Sequence, residues 1–152
     1  MNHPAEITNM VMIENPETGE VLVQHRRLYW TGISFPGGHV EDGESFVDSA
    51  VREVQEETGL LVKNLHLCGV IHWFHTQKKE RYMVLLYKTT DFSGQLFPET
   101  EEGEVFWVSK EKLPEMDLSP HFDSYLKVFL NEDKNEAFAN WNEQDSGTLR
   151  IE

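Results

Sequence analysis

Apolar and polar positions change their period several times along this chain, and each change marks an element. Residues 7–13 alternate weakly and residues 20–26 more clearly, which predicts two strands. Between them Asn15-Pro16-Glu17-Thr18-Gly19 reads as a hairpin turn, so the two strands are expected to pair antiparallel. Residues 65–74 and 81–89 are apolar runs on either side of the polar stretch 75–80, the pattern of a second hairpin. Residues 104–108 form a further short strand. The period then becomes helical: over residues 120–130, Phe122, Tyr125, Leu126, Val128, Phe129 and Leu130 recur at mostly helical spacing. A second helical stripe, Phe46, Val47, Ala50, Val51 and Val54, is bounded at both ends. Asp42-Gly43 signals a turn before it, Ser45 with Asp48 is an acidic variant of a capping box, and Gly59 stands where a left-handed cap would close it. Strands mixed with two principal helices, one per face, predict an α+β chain folded as an α/β/α sandwich with a mixed central sheet.

The tail has its own pattern. A charged linker over residues 132–136 precedes two short alternating runs, 137–141 and 148–151, around Asp145-Ser146-Gly147, which predicts a terminal β-hairpin. Three roles stand open for it: extending the sheet, capping a cleft, or pairing with a second copy in a homodimer.

The first of the two helices carries the chemistry. At 3.6 residues per turn Glu53, Glu56 and Glu57 project from one side and can converge on one point, with Glu57 at the edge of the apolar stripe. Like charges at this spacing repel, so a compensating charge is expected. Mg²⁺ or Mn²⁺ suits it, because hard cations take carboxylate, carbonyl and water oxygens and bridge to phosphates. Arg52 lies four residues before Glu56 and can orient a carboxylate through its fork of donors.

Length and charge narrow the reading. The 152 residues suit one domain over 1–152, without a second. The opening residues lack a basic start and an apolar run, so no signal peptide is expected, and no stretch is long enough to cross a bilayer. Cys68 has no internal partner and sits among apolar neighbours; a reducing, cytoplasmic location is expected. The formal net charge of −14 argues against binding a nucleic acid polymer. A phosphate-bearing substrate is compatible with that charge only if divalent ions stand between it and the carboxylates.

Residues 38–60 resemble the box that defines the Nudix hydrolases, G-x5-E-x7-R-E-U-x-E-E-x-G-U with U aliphatic. Gly38, Glu44, Arg52, Glu53, Val54, Glu56, Glu57, Gly59 and Leu60 meet every fixed position, and Ser34-Phe35-Pro36-Gly37-Gly38 is similar to the family's approach to the box. The resemblance extends over about residues 5–131, leaving residues 132–152 as an extension, and it implies the same sandwich fold. It implies a metal-dependent hydrolase in which Mg²⁺ or Mn²⁺ rests on Glu53, Glu56, Glu57 and the Gly38 carbonyl. The base would be either a box glutamate or one from the later acidic run Glu99, Glu101, Glu102 and Glu104; within that run Glu102 is favoured by its offset from Trp107, as base and further ligand, with Glu101 next. Glu44 would orient Arg52 or an outer water. Arg26 or Arg27 would contact phosphate, His39 would lie near it, and Ser34, Trp30, Trp73, Phe74 and Tyr82 would wall the base. His66, His72, His75 and His121 show no ligand pattern and read as structural.

The layout is also similar to bacterial MutT-type 8-oxo-dGTP diphosphatases, which implies a small-molecule nucleoside triphosphate cleaved to monophosphate and pyrophosphate. Met116-Asp117-Leu118 departs from the tryptophan-aspartate pair of vertebrate sanitising relatives, so base selectivity does not carry over. No proline stands near His75 and no tyrosine over residues 76–78, which disfavours ADP-ribose and dinucleoside polyphosphates. A nucleotide sugar hydrolase, a nucleotide sensor without turnover, and an acidic interaction domain remain as alternatives.

Overall fold

The computed structural model describes residues 3–152, so the first two residues of the expected domain, and of the opening segment read for a signal peptide, lie outside it. In chain order the elements are β1 (Ala5–Ile13), β2 (Glu20–Arg26), β3 (Gly32–Ser34), α1 (Phe46–Thr58), β4 (Leu60–Lys63), β5 (His66–His75) and β6 (Glu80–Thr89). Then follow β7 (Asp91–Gly94), β8 (Glu99–Thr100), β9 (Gly103–Ser109), a 3₁₀ turn (Lys110–Glu115), α2 (Phe122–Phe129), β10 (Glu136–Trp141) and β11 (Arg150–Ile151).

The largest sheet runs β1-β6-β5-β10-β11, a second runs β3-β2-β9-β8, and β4 pairs with β7. The β5–β6 hairpin forms as its alternation predicts, with a bulge between Leu67 and Gly69. The sheet is mixed because β1 lies parallel to β6 and β10 parallel to β5. The expected pairing of β1 with β2 does not occur beyond a single bridge, Glu14 to Val21. The edge of β1 that faces away from β6 is taken instead by the segment entering the box: Val11 N–H donates to Pro36 O at 2.8 Å, Asn9 N–H to Gly38 O at 2.9 Å, and Val40 N–H to Ile7 O at 3.0 Å. With β1 engaged on both edges, β2 joins β9 and β3 in the other sheet.

The two helices bury separate cores. Ala50 and Val54 of α1 pack with Val11, Ile13, Leu22, Leu85 and Val105, whereas Phe122, Leu126, Val128 and Phe129 of α2 pack with Met12, Val23, Phe35, Ile71 and Leu86. Alternation explains the division, since neighbouring residues on a strand point to opposite faces. Strands buried on both sides, such as β2 with Val21, Leu22 and Val23 all at 0 % exposure, therefore feed both cores. The terminal hairpin forms through Ala137 to Ile151 and Phe138 to Arg150 and extends the sheet through β5, while Trp141 and Ser146 of the same extension also line the cleft described below. Among the described residues no helix is long and apolar enough to cross a membrane.

Candidate active site

Local signals place the box helix as read. Ser45 Oγ accepts the Asp48 N–H at 3.0 Å, and Gly59 closes α1 at φ 83°. Ahead of it Gly37 and Gly38 run so close to other groups that a side chain has no room. A Cβ on Gly37 would meet Asn9 O at 2.1 Å, and one on Gly38 would meet the Glu53 carboxyl at 2.4 Å. The Glu53 carboxyl thus lies directly against the Gly38 backbone. Asn9 secures this contact, accepting the Gly38 N–H at 3.2 Å and donating to Ser49 Oγ of α1 at 2.9 Å. Sequence reading missed Asn9; its only signal is a polar residue interrupting an apolar strand.

Three carboxylates gather beside this turn. Glu57 is 5 % exposed and accepts the Gly37 N–H at 2.9 Å. Burial, followed by the nearby Glu102 carboxyl, pushes its pKa up to about 10. Burial likewise raises Glu53, against the pull of Arg52. Glu53, Glu57 and Glu102 all line one cleft of about 1200 Å³, together with Gly37 and Gly38.

Glu56 departs from the expectation that three box carboxylates share one point. It is 60 % exposed, lies outside the cleft lining, and accepts from Arg52 Nη1 at 3.2 Å. At about 100° per residue Glu57 sits only about 40° from Glu53, while Glu56 turns about 60° the other way. Among the described residues no cluster of three histidine, cysteine or acidic side chains is drawn tightly enough to hold an ion on side chains alone.

Arg52 is the hub of the outer flank. Its Nε and Nη2 donate to the two oxygens of Glu44 at 2.7 and 3.0 Å, Nη1 donates to Glu53 at 2.9 Å, and Nη2 reaches the His39 carbonyl at 3.1 Å. The paired guanidinium pulls Glu44 down to about 2, and Glu44 in turn raises Arg52. Glu44 and Arg52 hold each other, and neither lines the cleft.

The same cleft is also lined by aromatic side chains. Trp73 Nε1 donates to Tyr125 Oη at 3.3 Å, and the Trp73 ring meets His121 edge-on at 4.9 Å. Tyr82 is half-buried beside them; burial raises it and pushes Tyr125 up to about 12. His121, read as structural, lines the cleft, held there by a left-handed backbone at φ 69° just before α2. Arg26, Trp30, Ser34 and His39 also line it, with the His39 ring bonded to Glu6.

Two expectations fail by strand alternation. Arg27, unlike Arg26, turns to Glu99 outside the cleft, and Phe74, unlike Trp73, lies outside it under the Arg81 guanidinium at 4.8 Å. Glu101 is exposed and outside the lining.

Comparison with known proteins decides the family. The NUDIX domain model matches residues 5–140. The chain belongs to the Nudix family. It is 29 % identical to the Nudix hydrolase YvcI of Bacillus subtilis, covering 86 % of this chain and 81 % of that protein. It is 30 % identical to the oxidized purine nucleoside triphosphate hydrolase of Mus musculus, covering 77 % of this chain and 72 % of that one. The fold superposes on the mutator MutT protein of Bacillus halodurans with a TM-score of 0.79, at 24 % identity and 97 % coverage of both chains. This Nudix protein is therefore a hydrolase of phosphorus-containing acid anhydrides, from a family that acts on small-molecule nucleotides and generally uses divalent metal ions.

The residues present fit such an ion. Glu53 and Glu57 are brought against a side-chain-free turn, Glu102 faces them, and Gly38 O has one bond, to Asn9 N–H, leaving a lone pair free. Beyond them one orphaned polar pair stands out. Among the described residues the buried side-chain atoms without a partner are Gln24 Nε2, Gln24 Oε1 and Ser34 Oγ, and leaving such an atom unpaired costs about 1–3 kcal/mol.

Proposed function

We propose that this Nudix hydrolase is a MutT-type pyrophosphohydrolase that cleaves a purine nucleoside triphosphate, an oxidised one such as 8-oxo-dGTP by preference, to the monophosphate and pyrophosphate. One observation carries the reading: a single cleft is lined both by the carboxylates Glu53, Glu57 and Glu102 and by the aromatic side chains Trp73, His121, Tyr82 and Tyr125, a combination that suits polyphosphate and purine. The mouse relative's name supports the oxidised purine.

In this mechanism Glu53, Glu57, Glu102 and the Gly38 carbonyl would hold Mg²⁺ or Mn²⁺, with Glu56 at the rim. Once bound, the ion supplies positive charge that neutralises the phosphates and makes water a better nucleophile. The protein does the rest. Arg26 reaches the cleft from the end of β2 and meets phosphate oxygens; its Nε is steadied by the Tyr29 carbonyl at 3.0 Å. His39 lines the same cleft. A Glu102 carboxylate oxygen takes the proton of the attacking water. Trp73 offers a ring face to the base, and Ser34 Oγ and His121 offer hydrogen bonds to its edge.

The test is a panel of normal and oxidised purine triphosphates, ADP-ribose and dinucleoside polyphosphates, with and without Mg²⁺, read by pyrophosphate and monophosphate release. Release from purine triphosphates in the presence of Mg²⁺ alone is expected, fastest from 8-oxo-dGTP. Faster turnover of ADP-ribose or a dinucleoside polyphosphate would overturn the substrate, and tight nucleotide binding without release would make the protein a sensor.

A further inference from the structure

Gln24 has no part in the site as described so far, yet its side chain is 0 % exposed with neither amide atom bonded. On β2 it shares a sheet face with Leu22, which packs with α1, and with Arg26, which lines the cleft. It therefore stands where the dry core gives way to the site. Across the ladder it faces Val105 on one side and Ser34 on the other. Ser34 is 2 % exposed, lines the cleft, and carries the one other unpartnered buried side-chain atom among the described residues. Leu22 and Val105 show that the surroundings accept a hydrophobe, so packing alone does not call for an amide here. Two orphaned polar side chains thus stand opposite one another on adjacent strands, one of them lining the cleft.

We propose that Gln24 is a positioning residue for the nucleotide, resting on the substrate reading above, and that it acts through Ser34. In the free protein a water molecule joins the amide to Ser34 Oγ. The amide carries both donors and an acceptor, so its orientation fixes the direction of that water. The water in turn fixes whether the Ser34 hydroxyl donates or accepts toward the base. Gln24 thereby presets the face that Ser34 presents, without touching the nucleotide.

Gln24→Met keeps the length and apolar stem and removes the amide. The expected result is a KM raised about tenfold with kcat within about threefold of wild type. Tm should hold or rise, because an unpaired amide has been withdrawn from the interior. A second measurement needs no turnover: the Gln24 side-chain amide signals, recognised by their absence from the Gln24→Met spectrum, should shift in nucleotide-free Ser34→Ala. In the wild type they should also shift when the nucleoside monophosphate product is added. An unchanged KM in Gln24→Met, or amide signals indifferent to Ser34→Ala, would overturn the proposal. If wild type hydrolyses no purine triphosphate, the substrate reading fails, while the Ser34→Ala spectrum still decides whether the two residues are linked.

Discussion

Beside the outer flank of α1, Glu44 accepts two hydrogen bonds from Arg52 and is pulled down to about 2; on the inner flank Glu57 is shut away beside Glu102 and pushed up to about 10. Both are fixed glutamates of one motif, and their surroundings give them opposite tasks. Glu44 is complete within the protein, charged and paired. Glu57 is incomplete, because burial and a second carboxylate leave it needing either a proton or a cation. A satisfied carboxylate builds the scaffold; an unsatisfied one in a cleft is where a ligand binds.

Glu57→Gln is the largest blow to this contrast. It keeps the shape and the bond from Gly37 N–H but removes the charge a cation would meet. Turnover should fall by about 10²–10³-fold or more with the fold retained. Wild-type activity would show that the inner flank is only another buried carboxyl. The same variant separates two opposite pH dependences. Folded Glu57 keeps its proton between pH 4.5 and about 10 while the unfolded chain loses it, so the metal-free protein should lose stability as pH rises through that window. Glu44 behaves oppositely: its contribution is full above pH 4.5 and is lost as pH falls toward 2. Thermal melts across pH should show the alkaline loss reduced both in Glu57→Gln and on adding Mg²⁺ to wild type, with the acid loss unchanged. Mg²⁺ binding near pH 8 should also release about one proton per chain.

Gly38→Ala tests the inner flank through its backbone. The added methyl would lie 2.4 Å from the Glu53 carboxyl, the end of a flexible side chain, so Glu53 yields before the fold does. Displacing a ligand by about 1 Å can cost about 10²-fold, and a drop of that order in kcat with a small change in Tm is expected. A large loss of Tm at normal activity would place the role of Gly38 in packing.

How much of this was legible in the sequence follows the distance over which each signal acts. The caps of α1, the β5–β6 hairpin, α2 and the Glu44–Arg52 pair were readable, because each is fixed by residues within one or two turns or one strand pair. The partner of β1 was not. Its alternation says strand, but nothing local says that Pro36, Gly38 and Val40 take one edge and β6 the other, which left the turn at residues 15–19 to suggest a hairpin. Arg27 and Phe74 were misplaced for a smaller reason: adjacent residues were kept as alternatives, and strand alternation admits one of each pair to the cleft. His121 and Gln24 were hidden altogether. One owes its place to a left-handed backbone and the other to an unpartnered amide, and both are properties of the assembled fold.

Arg52→Lys has the smallest expected effect and bears most directly on the contrast, because Arg52 touches both flanks. Its fork grips Glu44 at two points while Nη1 holds Glu53 at 2.9 Å. Lysine keeps the positive charge and loses the planar fork, so it can serve Glu44 or Glu53 but not fix both in one geometry. If the outer flank only braces the helix, the variant should lose a little Tm and keep its turnover. If the scaffold also aims the inner carboxylate, kcat should fall about tenfold with KM nearly unchanged, because an orienting partner of a ligand has been loosened. The second outcome is expected, since Glu53 is half-buried against a turn with no side chain to steady it, and Arg52 is the cation that holds it.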